Sequence, residues 1–192
     1  LDILIGSQIA LAWQPFAVST LGFINIDALV NLPDWRASER VMSLLAEAIG
    51  QKKDKTVIIQ SYNPESELFT WASSANYKSF FKEEIKNRKT GNYPPFSRQI
   101  KLILKEESES LANKKSALVC RELKQIIGDN ELRIIGPNPG FISKIRNRHI
   151  RNIIIQLPLE KELPDGLSEP IKNILLNLPV NWSIDVDPES LL

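Results

Sequence analysis

Between Leu132 and Leu159 the chain has no Asp or Glu, yet Arg133, Lys144, Arg146, Arg148 and Arg151 all fall there, with His149 among them. Phe141 and Ile142 precede the densest part. Cations held on a loop and strand can follow a phosphate backbone, and an arginine or a nearby ring can stack on a base. A solvated basic hairpin is the competing reading of the same residues. His149 has no Cys or acid at ligand spacing, so a metal role is not expected of it. Asp185, Asp187 and Glu189 alternate near the end, where a strand terminus stopped by Pro188 accounts for them. ATP hydrolysis would require a phosphate cradle, a Mg²⁺ ligand and a charge-neutralising arginine. No G-x-x-x-x-G-K-[ST] sequence is present.

The elements that must position these residues fall into three blocks. Residues 1–63 contain short β-branched runs at Ile3–Ile5, Phe23–Ile26 and Val57–Ile59, the pattern of buried parallel strands. A helix lies between the last two, with Val41, Leu44, Leu45, Ala48 and Ile49 on one face and Asp34 as a plausible N-cap. Residues 64–91 read as one connecting helix, opened by Pro64 and Glu65 and closed by Gly91. Tyr93-Pro94-Pro95-Phe96 forbids helix and marks a domain boundary.

Residues 92–192 then run strand (98–104), helix (108–127), strand (132–135), a rigid loop Gly136–Gly140, strand (150–157), helix (167–178) and strand (182–186). Gly128-Asp129-Asn130 stops the first of these helices. That β-α-β-β-α-β order belongs to a ferredoxin-like sandwich. The expected class is therefore α/β followed by α+β.

Composition narrows the partners. A chain of 192 residues holds one ordinary domain or two small ones. With 24 basic and 23 acidic residues the net charge is +1, so any attraction to a polyanion must come from a local patch. Cys120 is the sole cysteine, which excludes an intrachain disulfide and a cysteine-cluster zinc site, and it sits where a small buried hydrophobe would. A reducing, cytoplasmic setting fits, and no apolar run approaches the ~20 residues that span a bilayer. Leu1–Ile5 reads as a strand entered mid-domain and not as a signal peptide, so the chain is expected to be a fragment.

Several segments, in order, resemble the primosomal protein N′ (PriA) family of replication-restart DNA helicases. Asp2-Ile3-Leu4-Ile5-Gly6-Ser7-Gln8 is similar to the family's D-I-L-I-G-T-Q, and Asn31–Arg40 to its L-P-D-[FY]-R-A-S-E-R. Gln60–Glu65, Tyr93–Arg98, Gly136-Pro137, the basic stretch 144–151 and Ile184–Pro188 follow in the family's sequence. The resemblance implies a partial RecA-like second helicase lobe over 1–63, a connecting helix over 64–91, and a ferredoxin-like DNA-binding domain over 92–192.

It also implies an ATP-dependent 3′–5′ DNA-unwinding family that needs ATP and Mg²⁺ and carries structural zinc in a segment outside this sequence. Expected partners are single-stranded or branched DNA at stalled forks, with single-strand-binding protein and the replicative-helicase loader beside it. A monomer is expected, with no membrane partner.

The departures bear on activity. The family's helix ends in Q-x-x-G-R-x-G-R, whose arginines reach ATP phosphates. Here Glu47 stands for the Gln, and Gly50 is followed by Gln51 where the first Arg belongs. Lys52 and Lys53 come next, and a lysine lacks the planar guanidinium fork. Ala12–Phe16 replaces a K-G-H-D-F-P loop. Gly6, Ser7, Gln8, Gly50 and Gln51 are thus degenerate remnants of a nucleotide site, and no catalytic residue is assigned. For Asp34 and Arg36 two readings stand: contacts to DNA or the other lobe, or a helix cap beside a solvated arginine. Arg36, Arg98, Lys144, Arg146, Arg148, His149 and Arg151 form the DNA-binding set. The rivals are a module that docks single-strand-binding protein or a loader, and an active helicase cut short. The purified chain is predicted to show no DNA-stimulated ATPase and no saturable MgATP binding; micromolar, Mg²⁺-dependent affinity by calorimetry would overturn this.

Overall fold

Alternation organises the first strand of the second half, and the computed structural model shows how. It describes residues 3–12, 18–50, 56–127, 133–159 and 167–192. Among these are seven helices and two sheets, a mixed α and β architecture. The chain divides into two units, Leu1–Glu84 and Ile85–Leu192.

In the first unit a short helix α1 (Ile9–Ala12) precedes strand β1 (Thr20–Phe23), helix α2 (Asp27–Val30), helix α3 (Ala37–Gly50) and strand β2 (Thr56–Ile59). β1 and β2 pair in parallel, Thr20 opposite Thr56 and Phe23 opposite Ile59. α3 buries Val41, Leu44, Leu45 and Ala48, four of the five residues expected on its apolar face. Val41, Leu44 and Leu45 pack with Ile26 and with Leu68 and Phe69 further along the chain.

Two strand expectations need correction. Residues 3–7 have no regular structure, and Ile3 and Ile5 are 77% and 88% exposed. Among the described residues no strand lies beside them, so their β-branched side chains have neither a ladder nor a face to pack on. The second strand ends at Phe23 because Asn25 turns the chain at φ 56°, which sends Ile26 into the core.

The connecting helix is also two helices, α4 (Glu67–Ser73) and α5 (Tyr77–Thr90). Ser73 and Ser74 hydroxyls donate back to the Thr70 carbonyl at 3.1 and 2.7 Å, and Ala75 enters the left-handed region at φ 52°. Asn76 Oδ1 then accepts the Ser79 N–H at 3.1 Å, which starts α5. These short polar side chains compete for the backbone groups a continuous helix would need.

The second unit has strand β3 (Ser97–Glu106), helix α6 (Glu109–Ile127), strands β4 (Arg133–Ile145) and β5 (Arg148–Pro158), helix α7 (Glu169–Leu176) and strand β6 (Trp182–Val186). The sheet order is β4-β5-β3-β6, antiparallel throughout. Ile100, Leu102 and Leu104 of β3 join Ile153, Ile155 and Leu157 of β5 in one core with Leu123 and Ile171 from the helices. The opposite side of the same strands carries buried polar residues: Ser97, Gln99 and Lys101, with Asn152 and Gln156. The chain returns after β6, where the Lys101 ammonium donates to the Ser190 and Leu192 carbonyls.

The expected loop at Gly136–Gly140 is instead part of β4, which stays paired to β5 through two register shifts. Gly136 has φ 111°, and a Cβ there would stand 2.7 Å from the Asn152 carbonyl oxygen, so only glycine fits this bend. Gly128-Asp129-Asn130 lies outside the described residues. Cys120 is buried on α6, its thiol 3.3 Å from the Gly136 carbonyl.

An ion pair joins the two ends of this unit. Arg98 Nη2–H donates to Asp187 Oδ2 at 2.8 Å and Nε–H at 3.2 Å, while the Asp187 N–H donates to the Gln99 carbonyl at 2.8 Å. The Arg98 hydrogen bonds hold the Asp187 carboxyl below its ordinary range. A depressed folded value means the stabilisation is complete above the unfolded Asp value of ~3.9 and is lost as pH falls through the folded one. Both side chains are about half exposed, so the effect is below about 1 kcal/mol. We predict that Asp187→Asn loses less stability than the parent between neutrality and pH ~3 in denaturant melts. Equal acid loss in both would show that the pair contributes nothing.

Candidate functional site

Two groups of residues singled out from the sequence are brought to defined places, one in each unit. In the first, Gly6, Ser7 and Gln8 are exposed just ahead of α1. Gln8 lines a groove of about 480 Å³ with Leu32, Arg36, Arg40 and Glu47. Gly50 is the exposed last residue of α3; Gln51, Lys52 and Lys53 lie outside the described residues, as do Trp13–Phe16.

Asp34 caps α3: its buried carboxylate accepts the Arg36 N–H at 2.9 Å and Arg40 Nη1–H at 3.2 Å. Arg36 itself donates from Nε to Glu39 Oε2 at 2.8 Å and lies 5.6 Å from the centre of the Trp35 ring. Asp27 of α2 accepts the Ser61 hydroxyl at 2.7 Å and the Tyr62 N–H at 3.0 Å, and these bonds lower its carboxyl pKa. The Gln60–Glu65 segment is thereby tied to α2.

In the second unit the basic stretch is a β-hairpin. Lys144 pairs with His149 and Ile145 with Arg148, leaving Arg146 and Asn147 as a two-residue turn. Both have positive φ, 47° and 62°, as a type I′ turn requires. Residues 141–148 are all exposed; Phe141, Ile142 and Ile145 reach 60%, 59% and 45%. Lys144, Arg146 and Arg148 therefore share one projecting tip with apolar side chains, and half-buried His149 lies at its base.

Arg151 and Arg98 are placed differently. Arg151 is 5% exposed, and its guanidinium donates to Asn113 Oδ1 at 2.6 Å, the Ile150 carbonyl at 2.9 Å and Glu109 Oε1 at 2.9 Å. Glu109 and Asn113 are four apart on α6 and so present both oxygens on one face. Arg151 joins β5 to the first turns of α6 and stands apart from the exposed cations. Arg98 is half exposed, with its guanidinium engaged by Asp187. Arg133 is exposed at the far end of β4.

Sequence reasoning passed over α5. Its Lys78, Lys82, Lys86 and Lys89 recur at helical spacing and are all exposed. The signal was present as a four-residue period in a segment read only for its apolar side.

Residues 89–189 match the family described as the primosomal protein N C-terminal domain. The whole chain is similar to the replication restart protein PriA of Borreliella burgdorferi, with 32% identity over 197 residues, and 99% of it to that of Rickettsia conorii, with 33% over 201. The PriA of Bacillus subtilis is 26% identical over 199 residues. The chain spans 30% of the length of the first two relatives and 25% of the third.

The contrast within the hairpin is measurable. Arg151→Ala removes a buried guanidinium with its bonds to Asn113, Glu109 and the buried Ile150 carbonyl, at a cost of about 1–3 kcal/mol. For a unit of this size that lowers Tm by about 4 °C or more. Arg148→Ala, on an exposed side chain, should leave Tm within experimental error. An unchanged Tm for Arg151→Ala would remove its structural role.

Proposed function

This chain belongs to the primosomal protein N′ (PriA) family, and from that premise we propose that it acts in replication restart by holding branched or single-stranded DNA at stalled forks. The observation that carries this reading is the hairpin tip, where Lys144, Arg146 and Arg148 stand exposed beside Phe141 and Ile142. Cations at that spacing neutralise successive phosphates, and the ring offers a face on which a base stacks. We read residues 92–192 as a ferredoxin-like module, in keeping with the strand order β4-β5-β3-β6 and two helices on one face. Residues 1–63 are read as part of a RecA-like second lobe, with 64–91 as the connection.

Recognition without an efficient motor fits the residues present. The two arginines of the groove that Gln8 and Glu47 line are engaged within the fold, Arg36 by Glu39 and Arg40 by Asp34, and Gln51 stands where the family's first motif arginine belongs. ATP-dependent 3′–5′ unwinding is therefore assigned to the wider family, with ATP and Mg²⁺ bound through segments beyond this sequence. Among the described residues no helix is long and apolar enough to cross a membrane. A restart role places the protein in the cytoplasm. A second reading draws on Phe141, Ile142 and Ile145 at the tip: exposed apolar side chains among cations also suit an acidic, apolar-ended protein segment, such as single-strand-binding protein or a helicase loader would have to offer.

One variant separates these readings from a merely solvated turn. Arg146 holds a left-handed conformation that Asn adopts with less strain. Arg146→Asn combined with Arg148→Gln removes two charges while easing the turn. For single-stranded DNA, each lost phosphate contact flattens the log–log salt dependence by ~0.7, so the slope should fall by about one unit or more. Tm should hold or rise. Lys105→Ala with Lys114→Ala, both exposed and outside the hairpin, should leave the slope unchanged. A double variant that binds DNA like the parent but loses a protein partner would favour the docking reading.

A further inference from the structure

Net positive charge is greatest in α5 and in the hairpin segment, with smaller net charges of +2 each on β3 and α6, and only the hairpin has so far been given a role. α5 carries Lys78, Lys82, Lys86, Arg88 and Lys89 against Glu83 and Glu84, a net of +3 in 14 residues. The segment from Arg133 to Pro158 has five cations and no acid, a net of +5. These sum to +8 in a chain whose net charge is +1, so everything else carries −7.

The cations of α5 are not scattered. Lys78, Lys82 and Lys89 are spaced by four and seven residues, which superimposes them on one side of a helix. They span about 16 Å at 1.5 Å per residue, with about 6 Å between the first two. Phe80, the buried residue of α5, points to the opposite side. Lys78 and Lys82 form no ion pair with a described residue. Lys89 lies 6.0 Å from the centre of the Phe96 ring.

A second observation points to the ligand. Tyr77 and Phe81 lie beside the lysine row and are 55% and 52% exposed, the Tyr77 ring also resting 5.8 Å from that of Phe80. Exposed rings beside a row of ammonium groups suit single-stranded nucleic acid, in which both phosphates and base faces are accessible.

We propose that the Lys78–Lys82–Lys89 face of α5 is a second nucleic-acid contact, taking the phosphate backbone of a single strand with Tyr77 and Phe81 against its bases. It stands independently of the hairpin. The test measures fluorescence anisotropy of labelled oligothymidylate on the full chain across a salt series. The Lys78→Ala/Lys82→Ala/Lys89→Ala variant should flatten the salt slope by about two units, since three contacts at ~0.7 each are lost.

The corresponding Lys→Arg variant keeps the charges and should restore the slope. Phe81→Ala should weaken binding several-fold without changing the slope, which distinguishes stacking from charge. Tm of each variant is measured alongside, so that loss of fold is not read as loss of contact. A triple variant with the parent's slope overturns the proposal, and it does so even if the hairpin variant loses affinity. A parent-like slope in the hairpin variant, with loss in the α5 variant, overturns the hairpin reading instead. If the α5 variant keeps oligothymidylate but loses a polyglutamate peptide, the face is a docking surface for acidic protein and the proposal fails.

Discussion

Strand β3 is hydrogen-bonded along both edges, to β5 from Ser97 to Glu106 and to β6 from Ile100 to Leu104, and the second unit depends on its register. Ile100, Leu102 and Leu104 must face the helices while Gln99 and Lys101 face away. A slip of one residue would exchange the two sets. Burying the Lys101 ammonium in the apolar core would then cost far more than any hydrogen bond recovered by the slipped pairing. Everything attached to the two edges inherits this register: β5 runs back from the hairpin tip, and β6 ends one residue before the aspartate that pairs with Arg98.

That dependence explains which parts of the fold were legible in the sequence. β6 was read with its observed ends, because Trp182 and the turn after Pro179 bound a short run unambiguously. α3 and α6 were legible because a period of 3.6 in apolar residues reports burial on one side only. The break between α4 and α5 was not, because it rests on Ser73, Ser74 and Asn76 hydrogen-bonding locally, and helix interiors also tolerate these residues. β4 was misread for a related reason. Gly136 and two prolines resemble a loop, yet register shifts let the strand absorb them while its pairing with β5 continues on either side.

The candidate site shows the same division. Sequence placed six cations and a histidine in a single DNA-binding set with Arg151 among them, because composition carries no depth. Burial separates them. Arg151 alternates onto the helix side of β5 and meets two oxygens spaced four apart on α6, so its charge is satisfied within the fold. Arg148, three residues earlier, has passed the end of the core and projects into water. The positions differ in how far the sheet extends, which depends on β4 and β3 and cannot be read from β5 alone.

Arg146 adds a consideration of energy. A β-hairpin closed by a two-residue turn favours Asn or Gly at both central positions, and here the second is Asn147 but the first is an arginine at φ 47°. A non-glycine residue held in the left-handed region costs about 1–3 kcal/mol. A sequence optimised only for stability would place Asn or Gly there at no loss of packing, since the tip is exposed and touches no core residue. The strained residue is instead the one that carries charge at the turn of the exposed hairpin. Its neighbours Lys144 and Arg148 sit on unstrained strand positions, so the turn concentrates three cations at the end of a lever whose other end is the register of β5 against β3. Charge at the tip and order in the core are thus supplied by the same two strands, which lets an otherwise acidic protein present a basic surface without placing a cation where the fold would have to bury it.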